Sequence, residues 1–304
     1  MKKIYFLILF FFAGLNLNAQ VNSLESAMPT VVNAPAVVKH HSYILEYSEQ
    51  HEQAKWVVYR LCPALFNTTL KRADNFRPDS LVITGSADDK DYQKCGYDRG
   101  HLKPANDSKT SAKDMSESFY YSNMSPQDPS FNRGIWKSLE EQVQEFAKKN
   151  SELWVVTGPV LHSGLKQIGG NQVSVPEYYY KILLDNTPPD IKAIAFILPN
   201  KDSERPLESF ACSVDAVEKQ TNIDFFPRLD DKTENAIEAT KNIEQWFGKP
   251  QAVGSNFNFI GNTSSLVFHK ATCKNANCKN CTIKFKTAKE AIQAGYHGCS
   301  QCKP

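Results

Sequence analysis

Beyond residue 15 the chain has no apolar run approaching the roughly 20 residues a membrane helix needs, which excludes an array of spanning helices. It has no internal repeat, which excludes a solenoid, and no Gly-rich phosphate loop, which excludes a nucleotide cradle of that kind. It has little net charge: +2 over 304 residues gives no composition-level argument for a nucleic-acid partner. No cysteine follows the small residues near position 20, so a lipid anchor is not indicated. What remains is an ordinary globular composition, 41% hydrophobic and 11% aromatic, long enough for about two domains.

The first residues read as a targeting segment. Lys2 and Lys3 precede an apolar stretch from Ile4 to Leu15, and Leu17-Asn18-Ala19-Gln20 supplies a small-residue exit. A signal peptide over 1–20 implies export to the periplasm, the surface or the medium. Residues 21–44, with Pro29 and Pro35 and no sustained periodicity, read as a linker. Export turns the eight cysteines toward disulfides or metal sites. Cys62, Cys95 and Cys212 lie in the body; the other five crowd the tail.

Charge is unevenly spread. Residues 263–304 carry seven lysines against Glu290, a balance of +6. Removing that and the two N-terminal lysines from the total leaves −6 for residues 21–262. An acidic body that acts on a polyanion must gather its cations at one place, because phosphate attraction is local.

Periodicity outlines mixed strands and helices. Trp56 to Leu61, Leu153 to Thr157, Tyr178 to Leu184 and Ile191 to Leu198 are strand-like. Residues 111–121 can start a helix, and Arg133 to Lys149 has Trp136, Leu139, Val143 and Phe146 at helical spacing. Val214 to Thr221 and Glu234 to Phe247 are further helices, while Leu65 to Lys94 reads as a long loop. Without strict β-α-β alternation the expectation is α+β.

The chemistry concentrates in Asp98-Arg99-Gly100-His101 and in the stretch from Asn123 to Glu140. His101 is the best general base, since imidazole titrates near neutrality without a large perturbation. Arg99 matches a phosphoryl group bidentately and would stabilise its developing charge. Asn132 offers an amide oxygen to a divalent ion, and magnesium accepts few protein ligands. Glu140 lies about 12 Å further along a helix at 1.5 Å per residue, which favours service to the ion through water over direct ligation. Asp98 is expected to orient Arg99 or its loop, and Asn123 to order the site. Arg72, Arg77, Lys103 and Arg133 are weaker candidates for backbone phosphates. No paired carboxylates of the two-metal kind occur, so one ion is expected.

These stretches, with Gly96-Tyr97, Leu102-Lys103-Pro104-Ala105, Val156-Thr157-Gly158-Pro159 and Asp224-Phe225-Phe226-Pro227 in the same order, resemble the DNA/RNA non-specific endonuclease family. The resemblance covers roughly residues 45–250. It implies a ββα-metal (His-Me finger) core, a histidine base at His101, an ion (Mg2+ or Mn2+) on Asn132 with Glu140 working around it, and 5′-phosphate products from DNA and RNA. Phosphate and metal contacts carry no base identity, so little sequence preference should follow. A different class of reading keeps the fold without catalysis and binds nucleic acid through the basic tail.

After a Gly/Ser/Asn-rich linker at 251–262, the tail over 263–304 resembles the small metal-binding module of the Ada DNA-repair protein. His269 with Cys273, Cys299 and Cys302 would give a zinc set, and Cys278 with Cys281 forms a second short pair that could replace or complement it. A disulfide-stapled cap is the equal alternative for an exported chain.

Overall fold

The computed structural model describes residues 23–150, 152–248 and 257–304. It divides into two compact units, Met1–Trp246 and Phe247–Pro304. The targeting segment expected at 1–20 and the first part of the linker expected at 251–262 lie outside the described residues.

The larger unit runs β1 (Val37–Lys39), β2 (Tyr43–Ser48), β3 (Gln53–Leu61), α1 (Asp89–Tyr92), β4 (Asp98–His101), α2 (Ala112–Glu117), β5 (Met124–Gln127), α3 (Pro129–Phe131) and α4 (Lys137–Lys149). Then follow β6 (Leu153–Pro159), β7 (Gln167–Ile168), β8 (Val173–Ser174), β9 (Tyr178–Asp185), β10 (Lys192–Pro199), β11 (Ala211–Cys212), α5 (Val214–Thr221), α6 (Asp231–Glu238) and α7 (Ile243–Phe247). Seven strands form one sheet in the order β1-β2-β3-β6-β9-β10-β11, and every neighbouring pair is antiparallel. The architecture is α+β.

The strands are apolar on both faces because both faces are covered. Trp56, Val58, Trp154, Val156, Tyr180 and Ile182 point to one side, where Val214 and Val217 of α5 and Ile237 of α6 join the same core. Residues of opposite parity face the other way. There Tyr179 packs its ring at 5.4 Å from Phe131 and 5.7 Å from Trp136, and Tyr59 donates to Asp107. The β4–β5 pair sits against this second face: the Tyr179 hydroxyl donates to the Pro126 carbonyl, and Ser125 donates to Gln53.

Residues 23–44 are not a linker: Ala27 and Met28 are buried in the core, and β1 pairs with β2. A three-residue edge strand is too short to show a period, so its ordering comes from the partner strand. The helix expected over 234–247 is two helices, because Asn242 accepts from the Gln245 backbone and starts a new one. The helix expected from Arg133 begins earlier, at Pro129, and passes through a π-type turn over Asn132–Trp136 where Gly134 leaves helical geometry (φ −104°, ψ −110°).

In the smaller unit β12 (Phe259–Asn262), β13 (Val267–Lys270), β14 (Cys281–Phe285) and β15 (His297–Gly298) form a sheet in the order β14-β12-β13-β15. The expected linker 251–262 therefore ends too late, since its last residues are an inner strand. Helix α8 (Ala288–Gln293) is held by a Thr287–Glu290 capping box and buries Ala291 beside Phe268 and Phe285. Gly261 is required by space: a Cβ there would stand 2.6 Å from the Tyr296 ring and 2.8 Å from the Phe285 ring.

Candidate active site

β4, β5 and the α3–α4 helical run make a ββα unit. In the β4–β5 register His101 lies opposite Met124 and Asp98 opposite Gln127. Gly100 is demanded by close approach, because a Cβ at that position would fall 2.2 Å from the Gln127 side chain. The helical run starts where it does because Asp128 accepts from the Ser130 and Phe131 backbone amides and Pro129 occupies the first helical position. One turn later stands Asn132, its own amide bonded to the Asp128 carbonyl at 2.8 Å.

His101, Asn132, Glu140, Arg99, Arg72, Asn106 and Lys137 line one cleft of about 260 Å3. A larger adjoining cavity of about 520 Å3 shares Arg72, Arg99, Asn132 and Arg133 with it and adds Phe76, Asp89 and Asp98. Three arginines come together there from positions 72, 99 and 133, each paired with an aspartate of the same lining (Asp74, Asp89 and Asp98 respectively), so the groove gathers guanidinium donors whose charge is balanced locally.

His101 is 9% exposed, and its Nε2 is buried without a hydrogen-bond partner. Phe76 and Phe119 meet its ring edge-on at 5.8 Å and 4.9 Å. Burial first, then the Arg72 and Arg99 charges, push the imidazole down to about 3, so it is neutral across the physiological range. A neutral imidazole keeps one ring nitrogen free to accept a proton. Anionic substrate in the groove would offset the two cations and raise its basicity.

Asn123 is fully buried and locks the segment that follows His101. Its Oδ1 accepts from the Lys103 backbone amide at 2.9 Å, and its amide nitrogen donates to the Lys103 and Ser118 carbonyls. Asp98 holds a different partner from the expected one. Rather than orienting Arg99, it accepts from the Asn132 side-chain amide at 2.9 Å and from Arg133 at 2.9 Å and 2.6 Å. Arg99 instead donates to Asp89 at 2.8 Å and stacks over Phe76 at 3.9 Å. Asp89 gave no signal in the sequence, being one acid in a run of several.

Glu140 is half-buried in the cleft. Burial pushes its carboxyl up to about 8; Lys181 and Arg72 oppose that, and Asp107 and Glu141 add to it. Lys181 is fully buried, with its ammonium 4.8 Å from the Trp136 ring centre. Lys181 was invisible as a site residue because it sits in a strand among apolar neighbours.

Two of the weaker phosphate candidates are elsewhere. Lys103 is 1% exposed and donates to the Ser42 carbonyl and hydroxyl between Tyr43 and Tyr59. Arg77 donates to the Asn75 and Ser116 carbonyls and lies 3.9 Å over the Tyr120 ring. Both are spent on holding loops; Arg72 and Arg133 remain at the groove.

The donor set fits a magnesium-sized ion. The Asn132 amide nitrogen is engaged by Asp98, which leaves its carbonyl oxygen for a cation, and the Glu140 carboxylate lines the same cleft. In the tail, ligand atoms of His269, Cys273, Cys299 and Cys302 all lie within 4.8 Å of one another. Cys278 and Cys281 are bonded to each other and stand outside that set, which separates the two pairs that the spacing left open.

Fold and site thus define a ββα-metal nuclease core. A family profile described as DNA/RNA non-specific endonuclease matches residues 22–232, and the chain belongs to that family. It is 34% identical over 205 residues to the mitochondrial nuclease EXOG of Danio rerio, covering 62% of this chain and 60% of that protein. It is 32% identical over 203 residues to the mitochondrial endonuclease G of Homo sapiens, covering 62% and 68%. The solved structure of the EndoG/EndoGI complex superposes with a TM-score of 0.63 at 28% identity, over 69% of this chain and 92% of that one. The chain thus spans about three-fifths of the EXOG length, and the Cys-rich unit lies outside the matched residues.

Proposed function

We propose that the protein is an exported, metal-dependent endonuclease that hydrolyses DNA and RNA with little sequence preference and leaves 5′-phosphate ends. The observation that carries this reading is that His101, a neutral imidazole, lines one cleft with Asn132, Glu140 and Arg99. His101 takes a proton from the water that attacks phosphorus. Arg99 donates to the phosphoryl oxygens as negative charge builds, with Arg72 and Arg133 seating the flanking phosphates. The 3′ oxygen leaves and takes its proton from solvent. Asn132 is the residue that would hold Mg2+ or Mn2+, with Glu140 serving the ion through bound water; the ion when bound supplies Lewis-acid neutralisation of phosphate charge. None of these groups reads a base edge, which is the physical reason for low sequence preference.

Export rests on Lys2, Lys3 and the apolar stretch after them, since residues 1–20 contain no arginine of the kind a mitochondrial transit peptide uses. The Cys278–Cys281 bond suits an oxidising compartment. In the tail, His269, Cys273, Cys299 and Cys302 are assigned to one zinc ion in an Ada-like module, a closed four-ligand structural site.

The test is a cleavage assay on plasmid DNA and on RNA, with each divalent ion and with chelator, followed by end-group analysis. Cleavage of both polymers that chelator abolishes, with 5′-phosphate ends, is expected. Binding without cleavage under every ion would leave only the non-catalytic reading through the lysine-rich tail.

A further inference from the structure

Away from the catalytic cleft, α5 and α6 bring Asp215, Glu218 and Glu238 together, with carboxylate oxygens of all three within 4.8 Å of one another. Asp215 and Glu218 are three apart on α5 and so share a face. Glu238 is the last residue of α6. Glu218 is fixed to the turn beyond α5, where its Oε1 accepts from the Phe225 backbone amide at 2.8 Å.

Acidic residues clustered on a surface need no ion. Glu238 is different: it is 6% exposed, and its buried Oε1 has no hydrogen-bond partner. The strongest charge influences on it come from Glu218, Glu234, Asp215 and Asp224, all of them acids. A buried carboxylate aimed at other carboxylates, with no donor on it, is costly in a protein interior. A cation among them removes both the repulsion and the missing partner.

We propose that Asp215, Glu218 and Glu238 bind a calcium ion that ties α5 to α6. Three carboxylates offer up to six oxygens, which suits calcium's demand for six to eight flexible oxygen ligands. Magnesium, which keeps several waters and takes one or two carboxylates, suits this cluster less well. The ion braces the helices behind the sheet and takes no part in catalysis.

The experiment uses the full-length Asn132→Ala protein, so that the cleft contributes no amide ligand, and titrates calcium by calorimetry and by thermal melting. One calcium per chain with a Kd in the range of about 10^-4–10^-3 M is expected, with a melting temperature that rises as calcium is added. Glu238→Gln in the same background should melt higher than its parent without calcium and lose the calcium response. Asp215→Asn, at an exposed position, keeps the fold safe; it should weaken calcium binding tenfold or more and, in the otherwise wild-type chain, leave magnesium-supported cleavage unchanged. Absence of calcium binding in Asn132→Ala, or equal binding after both carboxylate substitutions, would overturn the site and leave Glu238 as a carboxyl that simply keeps its proton.

Discussion

Asp98 Oδ2 accepts from the side-chain amide of Asn132 at 2.9 Å, tying the first strand of the ββα unit to the helical run that carries the ion ligand. The bond fixes which end of the Asn132 amide turns to the cleft, as second-sphere partners do at metal sites. Asp98→Ala should therefore raise the Mg2+ concentration giving half-maximal rate by roughly 10–100-fold while the protein stays folded. Initial rates against Mg2+ concentration test this. An unchanged metal requirement would reduce Asp98 to an anchor for Arg133.

His101 predicts a pH dependence of stability with a definite sign. Its folded-state value of about 3 lies below the 6.5 of an unperturbed imidazole, so the unfolded chain binds the proton first. Stability associated with a neutral His101 is complete above pH 6.5 and is lost as pH falls toward 3, at about 1.4 kcal/mol per pH unit where only the unfolded state is protonated. His101→Gln removes this dependence. Urea unfolding from pH 7 to pH 4 should show the wild type falling more steeply than the variant. The same variant should cleave at least about 100-fold more slowly at neutral pH. Parallel stability curves would mean that the ring is not held neutral by its surroundings.

Gly100 stands where the two strands come closest. The added methyl of Gly100→Ala would need Gln127 to move from 2.2 Å, yet Gln127 is fully buried and has little room. Overpacking of this kind costs about 1–3 kcal/mol. Because Gly100 is the neighbour of His101, the strain also displaces the base. A lower urea midpoint accompanied by a loss of kcat is expected. A stable variant with full activity would show that Gln127 yields freely.

The proposed catalytic residues are legible in the sequence because they are close along the chain. Asp98 to His101 is one strand, Asn132 and Glu140 belong to one helical run, and the motif order identifies both. Partners that meet only through folding left no such trace. Lys103 reads as a candidate for a backbone phosphate, but Ser42, more than sixty residues earlier, accepts from its ammonium. Asp98 is expected to orient adjacent Arg99 or its loop, yet in an extended strand successive side chains point to opposite faces. They consequently part, Asp98 to Arg133 and Arg99 to Asp89. Residues 21–44 hid a strand because β1 exists only as the edge partner of β2.

The fold assigns the tail cysteines unequal work. His269 and Cys273 come from β13 and the turn after it, and Cys299 and Cys302 from the turn after β15, so a shared ion would clamp the end of the chain to the middle of its sheet. Cys278 and Cys281 only close a turn three residues wide, at Cα–Cα 5.1 Å. Elemental analysis of the full-length protein should give one zinc per chain, and Cys299→Ser or Cys302→Ser should lose it. Cys278→Ser should retain it, because that thiol lies outside the four-ligand set. Zinc loss in all three variants would mean that the bonded pair shares the ion. A wild-type protein without zinc, and with four of the five tail cysteines paired, would make the tail a disulfide-stapled cap. Its stability would then respond to reductant rather than to chelator, because a covalent bond and not an ion would hold the segment after β15 to β13.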